Sequence, residues 1–223
     1  NPNTGELKIN GTLDFESVNT YNLIVRVTDG SLADDALINV YVSDVNEAPV
    51  ATDVSVLFPE NSPAGTSVTT VIASDPDVGS VMQFSITAGN IGSAFYIDPS
   101  SGELKGSDSQ LLNFEATPSY TLTVRVTDGL LSDDATITIG IGDVNEPPTI
   151  TDAIVNVDEN ALKDIVVFTV QAFDPEAGSQ LVFTITSGNE GDVFLINASG
   201  QLVLSKPELD FELKNVFNLS IQV

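Results

Sequence analysis

Residues 120–126 read Tyr-Thr-Leu-Thr-Val-Arg-Val, and residues 135–141 read Ala-Thr-Ile-Thr-Ile-Gly-Ile. In both stretches apolar residues alternate with Thr, Arg or Gly, which is the pattern of a half-buried β-strand. Further short alternating or β-branched runs are separated by turn formers such as Asp-Pro-Asp-Val-Gly and Thr-Asp-Gly. Such strand density predicts an all-β fold, an immunoglobulin-like seven-strand Greek-key β-sandwich. The predicted strands are 53–57, 67–73, 82–88, 94–97, 102–106, 119–127 and 133–142.

The strand pattern belongs to an internal repeat, because Asp-Val-Asn-Glu at 44–47 returns 99 residues later at 143–146. Arg-Val-Thr-Asp, Leu-Asp/Asn-Phe-Glu and Asp-Pro-Asp/Glu recur at the same interval. Self-similarity at one fixed period predicts tandem sandwiches arranged end to end. Since the outer segments match only part of the middle one, the natural protein is expected to be longer. The expected domains are the C-terminal half of a repeat at 1–49, a complete repeat at 50–148, and at 149–223 a repeat lacking its last strand.

The composition excludes several classes of protein. The chain has 32 acidic and 7 basic residues, a net charge of −25, and yet 42% of it is hydrophobic, unlike a disordered acidic tail. So much negative charge argues against nucleic acid and anionic membranes as partners, and no run is long enough to span a membrane. The absence of Cys and His removes disulfides, the usual zinc sites and Ser-His-Asp triads. Bound cations are the simplest means of offsetting the self-repulsion.

Carboxylates and amides recur at the predicted ends of the strands. In sandwiches running end to end, one pole of a repeat and its linker would carry most of these groups, and the facing pole of the next repeat would carry the rest. Hard divalent cations take six to eight oxygens from such groups, which favours calcium over magnesium. For the middle repeat the groups are Glu60, Asn113, Glu115, Asp143, Asn145, Glu146, Asp174 and Glu176.

The ordered set of motifs resembles the cadherin repeat over the whole chain. The motifs are Phe-Pro-Glu60-Asn, Leu-Asp14-Phe-Glu16, Asp44-Val-Asn46-Glu47-Ala-Pro, Asp75-Pro-Asp77 and Val-Thr-Asp128-Gly. Their style is closest to the cadherin-like repeats of large bacterial surface and adhesin proteins. The resemblance implies several calcium ions at each junction between repeats.

The resemblance also implies a set of metal ligands for each junction. The first junction would use Asp14, Glu16, Asp44, Asn46, Glu47, Asp75, Asp77 and Asp128, with the backbone carbonyls of Val45 and Ala48. The second would use Glu60, Asn113, Glu115, Asp143, Asn145, Glu146, Asp174 and Glu176, with the backbone of Val144. Glu159, Asp210 and Glu212 would face a further junction downstream.

Some residues depart from the family pattern. Glu47, Glu146 and Glu176 stand where the family has the shorter aspartate, and Asn113 replaces a charged aspartate. The second junction is therefore expected to bind calcium more weakly.

Other recurrent residues are interpreted as structural. Asp98, Gly102, Gly129 and the pair Asp133-Asp134 suit solvated turns. Phe15, Phe114 and Phe211 are expected to fill the core, and Arg26 and Arg125 to lie on the polar face of a strand, paired with an acid.

Three classes of function remain. The first is an extracellular, calcium-rigidified stalk or adhesive rod at the cell surface. Its partners would be calcium, neighbouring repeats of a longer chain, and homophilic or other surface contacts. The second is a calcium-dependent module that binds a polysaccharide or another protein, although no Trp and only four Tyr are present to form an aromatic platform. The third, a carboxylate enzyme such as a glycosidase, is disfavoured because it requires paired acids in a cleft beside aromatic side chains.

Overall fold

A computed structural model of the chain describes residues 1–2, 4–176, 178–206 and 209–223. The chain forms two compact units, Asn1–Gly142 and Asp143–Val223, and each has its own hydrophobic core. The expected division into three repeats at 49 and 148 stays a prediction. Among the described residues, no helix is long and apolar enough to cross a membrane.

The first unit contains a hairpin followed by a complete sandwich. The hairpin pairs β1 (Thr20–Thr28) with β2 (Ala33–Tyr41) in antiparallel register, Thr20 opposite Tyr41. The sandwich strands are β3 (Val50–Ala51), β4 (Val54–Pro59), β5 (Ser67–Thr70), β6 (Ala73–Ser74), β7 (Gln83–Ala88), β8 (Phe95–Ile97), β9 (Glu103–Gly106), β10 (Ser119–Thr127) and β11 (Ser132–Gly142). Single 3-10 turns lie at Ile91–Ser93 and Ser109–Leu111.

Two facing sheets form the sandwich. One has the strand order β4-β11-β10-β7, with β4 parallel to β11 and the other pairs antiparallel. The other contains β5-β9-β8, and a short ladder joins β3 to β6. All seven predicted strands are present, although the one predicted at 67–73 is divided into β5 and β6. The alternation did not reveal β3, because that strand has only two residues.

The core follows from the alternation in β10 and β11. Tyr120, Leu122, Val124 and Val126 are buried, whereas Arg125 between them is exposed. Each fully buried side chain of this kind contributes roughly 1.5–3 kcal/mol through removal from water. The inward faces of both sheets therefore hold the fold together, and the loops at the poles are free to carry polar groups. The rest of this core consists of Phe58, Val71, Phe84, Ala94, Phe95, Leu104, Leu112, Ala135, Ile137, Ile139 and Ile141.

The structure corrects one assignment of acidic residues. Asp133 and Asp134 lie in strand β11 and not in a solvated turn. Asp134 pairs side by side with Arg125, at 2.8 Å and 2.9 Å, and Asp133 accepts a hydrogen bond from the Ala51 backbone N–H at 2.9 Å. Both acids therefore join strands, and the expected pairing of Arg125 is confirmed; Arg26 pairs with Asp35 in the same way.

One glycine is required by close backbone packing between β7 and β10. Gly89 has φ +81°, and a Cβ there would overlap the Thr121 carbonyl oxygen. Gly188 in the second unit has the same φ and would overlap the Asn218 carbonyl oxygen. Both units therefore place a positive-φ glycine directly after a strand, β7 in the first unit and Thr184–Ser187 in the second. A side chain at either glycine would force the paired strands apart.

The second unit repeats much of this plan with fewer strands. Its strands are β12 (Thr149–Ile150), β13 (Val166–Thr169), β14 (Ala172–Phe173), β15 (Thr184–Ser187), β16 (Phe194–Ile196), β17 (Gln201–Leu204) and β18 (Ser220–Gln222), with a 3-10 turn at Glu190–Asp192. The sheets pair β13-β17-β16, β15-β18 and β12-β14. Its core contains Phe194, Leu202, Leu204 and Leu209.

The buried hydroxyl of Tyr120 provides a test of the core of the first unit. Tyr120 is 4% exposed, its ring packs edge-on against Phe95, and its hydroxyl donates to the Leu111 carbonyl at 2.6 Å. Tyr120→Phe is expected to lower the free energy of unfolding by about 1–2 kcal/mol, because that carbonyl loses its partner. Denaturant titration measures the change, with Tyr41→Phe, at a 74% exposed position, as the control. Equal effects of the two substitutions would contradict this role.

Candidate metal centre

The segment between β2 and β3 is held at one point by the loop that follows β6. The Glu47 backbone N–H donates to Oδ2 of Asp77 at 3.0 Å, and the Asp77 backbone N–H donates to Oδ1 of Asp75 at 2.9 Å. Ser80 Oγ holds the other oxygen of Asp75 at 2.9 Å. These bonds fix Asp75 and Asp77 beside the segment and aim their carboxylates at its acidic residues.

Asp77 belongs to two groups of carboxylates. The first contains Glu16, Asp44, Glu47 and Asp77, whose selected oxygens all lie within 4.8 Å of one another. The second contains Asp75, Asp77 and Asp128 under the same limit. Asp77 therefore connects acids from four separate stretches of sequence.

Hydrogen bonds orient Asp128 within the second group. Its Oδ1 accepts from the backbone N–H groups of Leu130 at 2.6 Å and Leu131 at 2.7 Å, and its Oδ2 accepts from Asn46 Nδ2 at 2.7 Å. The Leu131 and Leu130 N–H groups and then the Asn46 amide hold the pKa of Asp128 below its usual value. Asn46, a predicted ligand, is thereby placed at the second group.

Glu47 shows the electrostatic strain of the cluster. Desolvation raises its pKa most, and the negative charges of Glu16, Asp77, Asp44 and Asp14 raise it further. A carboxyl whose pKa rises on folding destabilises the folded chain at pH values above that pKa. At neutral pH, positive charge at this point would therefore stabilise the fold.

The donor set fits a calcium ion. Oxygens bound to one calcium at about 2.4 Å are at most about 4.8 Å apart, so the spacing of the selected oxygens in both groups is compatible with a shared ion. The groups consist of carboxylate oxygens, which hard cations prefer. Asp14 is placed differently, since its oxygens accept from the Ser17 N–H at 3.0 Å and the Ser17 hydroxyl at 2.8 Å. Asp14 adds negative charge near Glu47 but lies outside the two groups.

The Leu-Asp/Asn-Phe-Glu motif has a structural role that sequence reasoning missed. Its Asp or Asn accepts a hydrogen bond from the backbone three residues on, as in Asp14 to Ser17, Asn113 to Ala116 and Asp210 to Leu213. An amide oxygen serves this turn as well as a carboxylate does, which explains how Asn113 replaces aspartate without changing the loop. The recurrent Asp or Asn at the same motif position was the available signal, because both side chains bond nearby backbone N–H groups in turns.

The Phe of the same motif fixes a second acid. The Phe114 backbone N–H donates to Oε2 of Glu60 at 2.8 Å, and Phe211 N–H donates to Oε2 of Glu159 at 3.2 Å. Glu60 is 2% exposed. Glu159, Asp210 and Glu212 are exposed and form a further group whose selected oxygens lie within 4.8 Å of one another. That these acids face a further junction stays a prediction.

The three motif phenylalanines have different surroundings. Phe114 packs against the core of the first unit, as expected. Phe15 is half-buried and Phe211 is 61% exposed. The expectation that all three fill the core is therefore wrong for Phe211.

The second unit repeats the scaffold of Glu47, Asp77 and Asp75 with longer acids. The Glu146 N–H donates to Oε1 of Glu176 at 2.5 Å, and the Glu176 N–H donates to Oδ1 of Asp174 at 3.0 Å. Asn145 Nδ2 donates to the Glu146 carbonyl at 3.3 Å, as Asn46 does to that of Glu47 at 2.9 Å. The extra methylene of Glu176 is therefore accommodated without loss of the backbone contact.

One oxygen in the second unit lacks the partner that burial demands. Oε2 of Glu176 is shielded from solvent and accepts no hydrogen bond from the described residues. A buried carboxylate oxygen left in this state costs free energy, and a cation is the natural partner for it. Asp143 and Val144 precede this scaffold in the chain, whereas Glu60, Asn113 and Glu115 belong to the first unit. Their assembly into one second junction stays a prediction.

A family model described as the cadherin domain matches residues 54–141 and 154–223. The chain belongs to the cadherin family. Among its relatives, human protocadherin Fat 1 is 35% identical over 219 residues, which cover 91% of this chain and 5% of the relative. Drosophila melanogaster protein dachsous is 34% identical over 239 residues, covering 98% and 7%. This cadherin chain thus spans less than a tenth of the length of either relative.

Solved cadherin structures share the fold. Extracellular cadherin domains 1–4 of protocadherin gamma B7 align with a TM-score of 0.64 and 27% identity, over 91% of this chain and 52% of that one. Domains 21–23 of human CDH23 align with a TM-score of 0.66 and 22% identity, over 92% of this chain and 69% of that one. Another neighbour, a cis-dimer of protocadherin gamma B7 domains 3–6, aligns at 0.61 and 25%, over 89% and 54%.

These matches confirm the β-sandwich fold and the extracellular localisation. They also confirm that the chain is no enzyme, because cadherin repeats are structural and adhesion modules. The relatives named above are animal proteins, and the closer likeness to bacterial surface proteins stays a prediction.

Because the pKa of Glu47 is raised, its substitution is expected to change the melting temperature in opposite directions in EDTA and in calcium. Glu47→Gln removes one charge from a repulsive cluster and keeps the backbone bond to Asp77, so the melting temperature in EDTA is expected to rise at pH 7. In millimolar calcium the same variant is expected to melt below the wild type, because a ligand charge is lost. Glu6→Gln, which removes a charge outside the clusters, serves as the control. A fall in EDTA, or no loss in calcium, would contradict the assignment of Glu47.

Proposed function

We propose that the chain is a calcium-stiffened segment of an extracellular adhesion protein. One observation carries the proposal: the carboxylate of Asp77 joins two acid groups while its Oδ2 also holds the backbone of the segment between β2 and β3. A cation at either group would connect that segment to loops of the sandwich that follows. The family supports calcium in this role, since cadherin repeats bind it between successive domains.

For the first junction, we propose two cation positions that share Asp77. Glu16, Asp44, Glu47 and Asp77 would hold one position, and Asp75, Asp77, Asp128 and Asn46 the other. When bound, calcium supplies the positive charge that this cluster lacks. The protein supplies preformed geometry, since Asp75, Asp77 and Asp128 are each already fixed by hydrogen bonds. The carbonyls of Val45 and Ala48 and the side chain of Asp14 complete the proposed set.

For the second junction, the proposed ligands are those predicted from the sequence, namely Glu60, Asn113, Glu115, Asp143, Val144, Asn145, Glu146, Asp174 and Glu176. The buried Oε2 of Glu176 supports a cation there, and the Glu146–Glu176–Asp174 scaffold supports the same design as in the first junction. Asn113 supplies one charge fewer than aspartate, so weaker binding than at the first junction is proposed.

Stiffening follows from charge. Without cations, the acids of the first junction repel one another, and they belong to different segments of the chain. Few attractive contacts then fix the direction of the segment between β2 and β3. With cations, each ion connects acids from several segments, so that separating the segments requires breaking coordination bonds. Homophilic or other surface contacts of the whole protein stay proposals, as does the alternative of a calcium-dependent binding module.

Calcium is expected to raise the melting temperature of the chain. Binding to the native state alone adds RT ln(1 + [L]/Kd), about 2.7 kcal/mol at a hundredfold excess over Kd. Melts in EDTA, in millimolar calcium and in millimolar magnesium measure the gain. It should be largest in calcium, because calcium accepts six to eight oxygens in variable geometry whereas magnesium demands near-ideal octahedral coordination. Equal melting temperatures in all three solutions would contradict the metal proposal.

Removal of the charges of Asp75 and Asp77 tests whether cations stiffen the first junction. Asp75→Asn with Asp77→Asn is expected to leave circular dichroism unchanged and to give a shorter, more variable particle in calcium by small-angle X-ray scattering. The matched control is Glu6→Gln with Asp34→Asn, which removes the same charge at two exposed positions outside the clusters. If the double Asp75/Asp77 variant scatters like the control, direct packing sets the geometry and the ions do not.

A further inference from the structure

The sequence contains three Asn-x-Ser/Thr triplets without proline at the middle position. They are Asn10-Gly11-Thr12, Asn197-Ala198-Ser199 and Asn218-Leu219-Ser220. This triplet is the acceptor motif for N-linked oligosaccharides in secreted proteins, and the chain is extracellular. The structure distinguishes the three sites by what each asparagine side chain already does.

Asn197 occupies an exposed turn between β16 and β17. Its Oδ1 accepts hydrogen bonds from the backbone N–H groups of Ser199 and Gln201, each at 3.0 Å. Asn197, Ala198 and Ser199 are all exposed. The turn therefore depends on the oxygen of the side chain and presents the whole triplet to solvent.

The equivalent turn of the first unit shows that the nitrogen of Asn197 is not needed for this structure. Asp98 lies between β8 and β9, and its Oδ1 accepts from the N–H groups of Ser100 and Ser101 at 2.9 Å each. This turn is one residue longer, since the Gly102 N–H closes it on the Asp98 carbonyl, whereas the Gly200 N–H closes the other on the Asn197 carbonyl. In both turns one side-chain oxygen accepts two backbone N–H groups, and Asp98 does so without any side-chain nitrogen. Apart from one bond at 2.9 Å to the side chain of the half-buried Gln201, the Asn197 amide nitrogen makes no hydrogen bond among the described residues.

The two other copies of this turn cannot act as acceptors. Pro99 follows Asp98, and Pro2 follows Asn1, whereas Ala198 follows Asn197. Proline at the middle position blocks the motif. Only the third copy combines an asparagine, a permissive middle residue and a serine.

The remaining two triplets are less suited. Ser220 is the first residue of β18, where its hydroxyl bonds the Ser187 hydroxyl at 2.8 Å, and the Asn218 carbonyl packs against Gly188. Asn218 is exposed, but a glycan there would lie directly before the paired strand β18 and not on an open turn. Asn10 is exposed, but no hydrogen bond among the described residues joins its side chain to Thr12.

We propose that Asn197 is an attachment site for an N-linked oligosaccharide. In the transfer, Nδ2 forms a bond to the anomeric carbon of an oligosaccharide carried on a lipid diphosphate. The bond from that carbon to the diphosphate oxygen breaks, the lipid diphosphate leaves, and Nδ2 gives up one of its two protons. Oδ1 is untouched, so the turn and its two backbone hydrogen bonds persist in the modified chain.

The test is secretion of the full chain from cultured animal cells, followed by mass spectrometry. Peptide N-glycosidase in 18O-water removes N-glycans and leaves a labelled aspartate at each occupied site. The expected result is label at residue 197 in most molecules, with and without calcium in the medium, since the modification is independent of metal binding. No label at 197, whether the chain is unmodified or is modified only at Asn10 or Asn218, would overturn the proposal.

Two variants copy the turn of the first unit and keep the test independent of folding. Asn197→Asp reproduces Asp98, and Ala198→Pro reproduces Pro99, so both are expected to match the circular dichroism of the wild type. Both are also expected to lose the label at 197 completely. A glycan retained at 197 in the Ala198→Pro chain would contradict the assignment.

Discussion

Repulsion among carboxylates is the constraint on which the loops at the end of the first sandwich depend. Asp77, Glu47, Glu16 and Asp44 bring four potential negative charges within a few ångströms. Desolvation raises the pKa of Glu47 most, and the negative charges around it raise that pKa further. A fold optimised for stability alone would not concentrate like charges there, because each pair costs free energy. The β-sandwich tolerates the cost since its core is remote from the poles, on the inward faces of β10 and β11. In the proposed function, bound cations would convert the same repulsion into attachment.

The scaffold around these acids is built from backbone hydrogen bonds and recurs with different side chains. Asp77 in one unit and Glu176 in the other both receive the N–H of the linker glutamate and both donate their own N–H to the preceding Asp. Likewise, an aspartate and an asparagine form the same turn at 14 and 113. The backbone hydrogen bonds therefore set the positions of the acidic side chains, whereas the charge and length of those side chains vary from one repeat to the next. Under the proposed function, such variation would change the affinity for cations without altering the fold.

Much of this was accessible from sequence, for physical reasons that differ by element. Alternation over nine residues identified β10, because one face is buried and the other wet, and the repeat located the acids. Alternation gave no signal for two-residue strands such as β3. Residue type suggested a solvated turn for Asp133 and Asp134, although the predicted strand 133–142 contains them. Their roles depend on Ala51 and Arg125, which only the folded register brings near. The sharing of Asp77 between two groups, and the burial of Glu60 and of the Glu176 oxygen, are likewise tertiary facts without a local pattern.

The most direct test of the account is a crystal structure of the calcium-loaded chain with anomalous diffraction data. The account predicts anomalous peaks about 2.3–2.6 Å from carboxylate oxygens of Asp77, one of them shared with Glu16, Asp44 or Glu47 and another with Asp75 or Asp128. Peaks confined to other acids, or an Asp77 carboxylate that keeps its bond to the Glu47 N–H and binds no ion at saturating calcium, would contradict it.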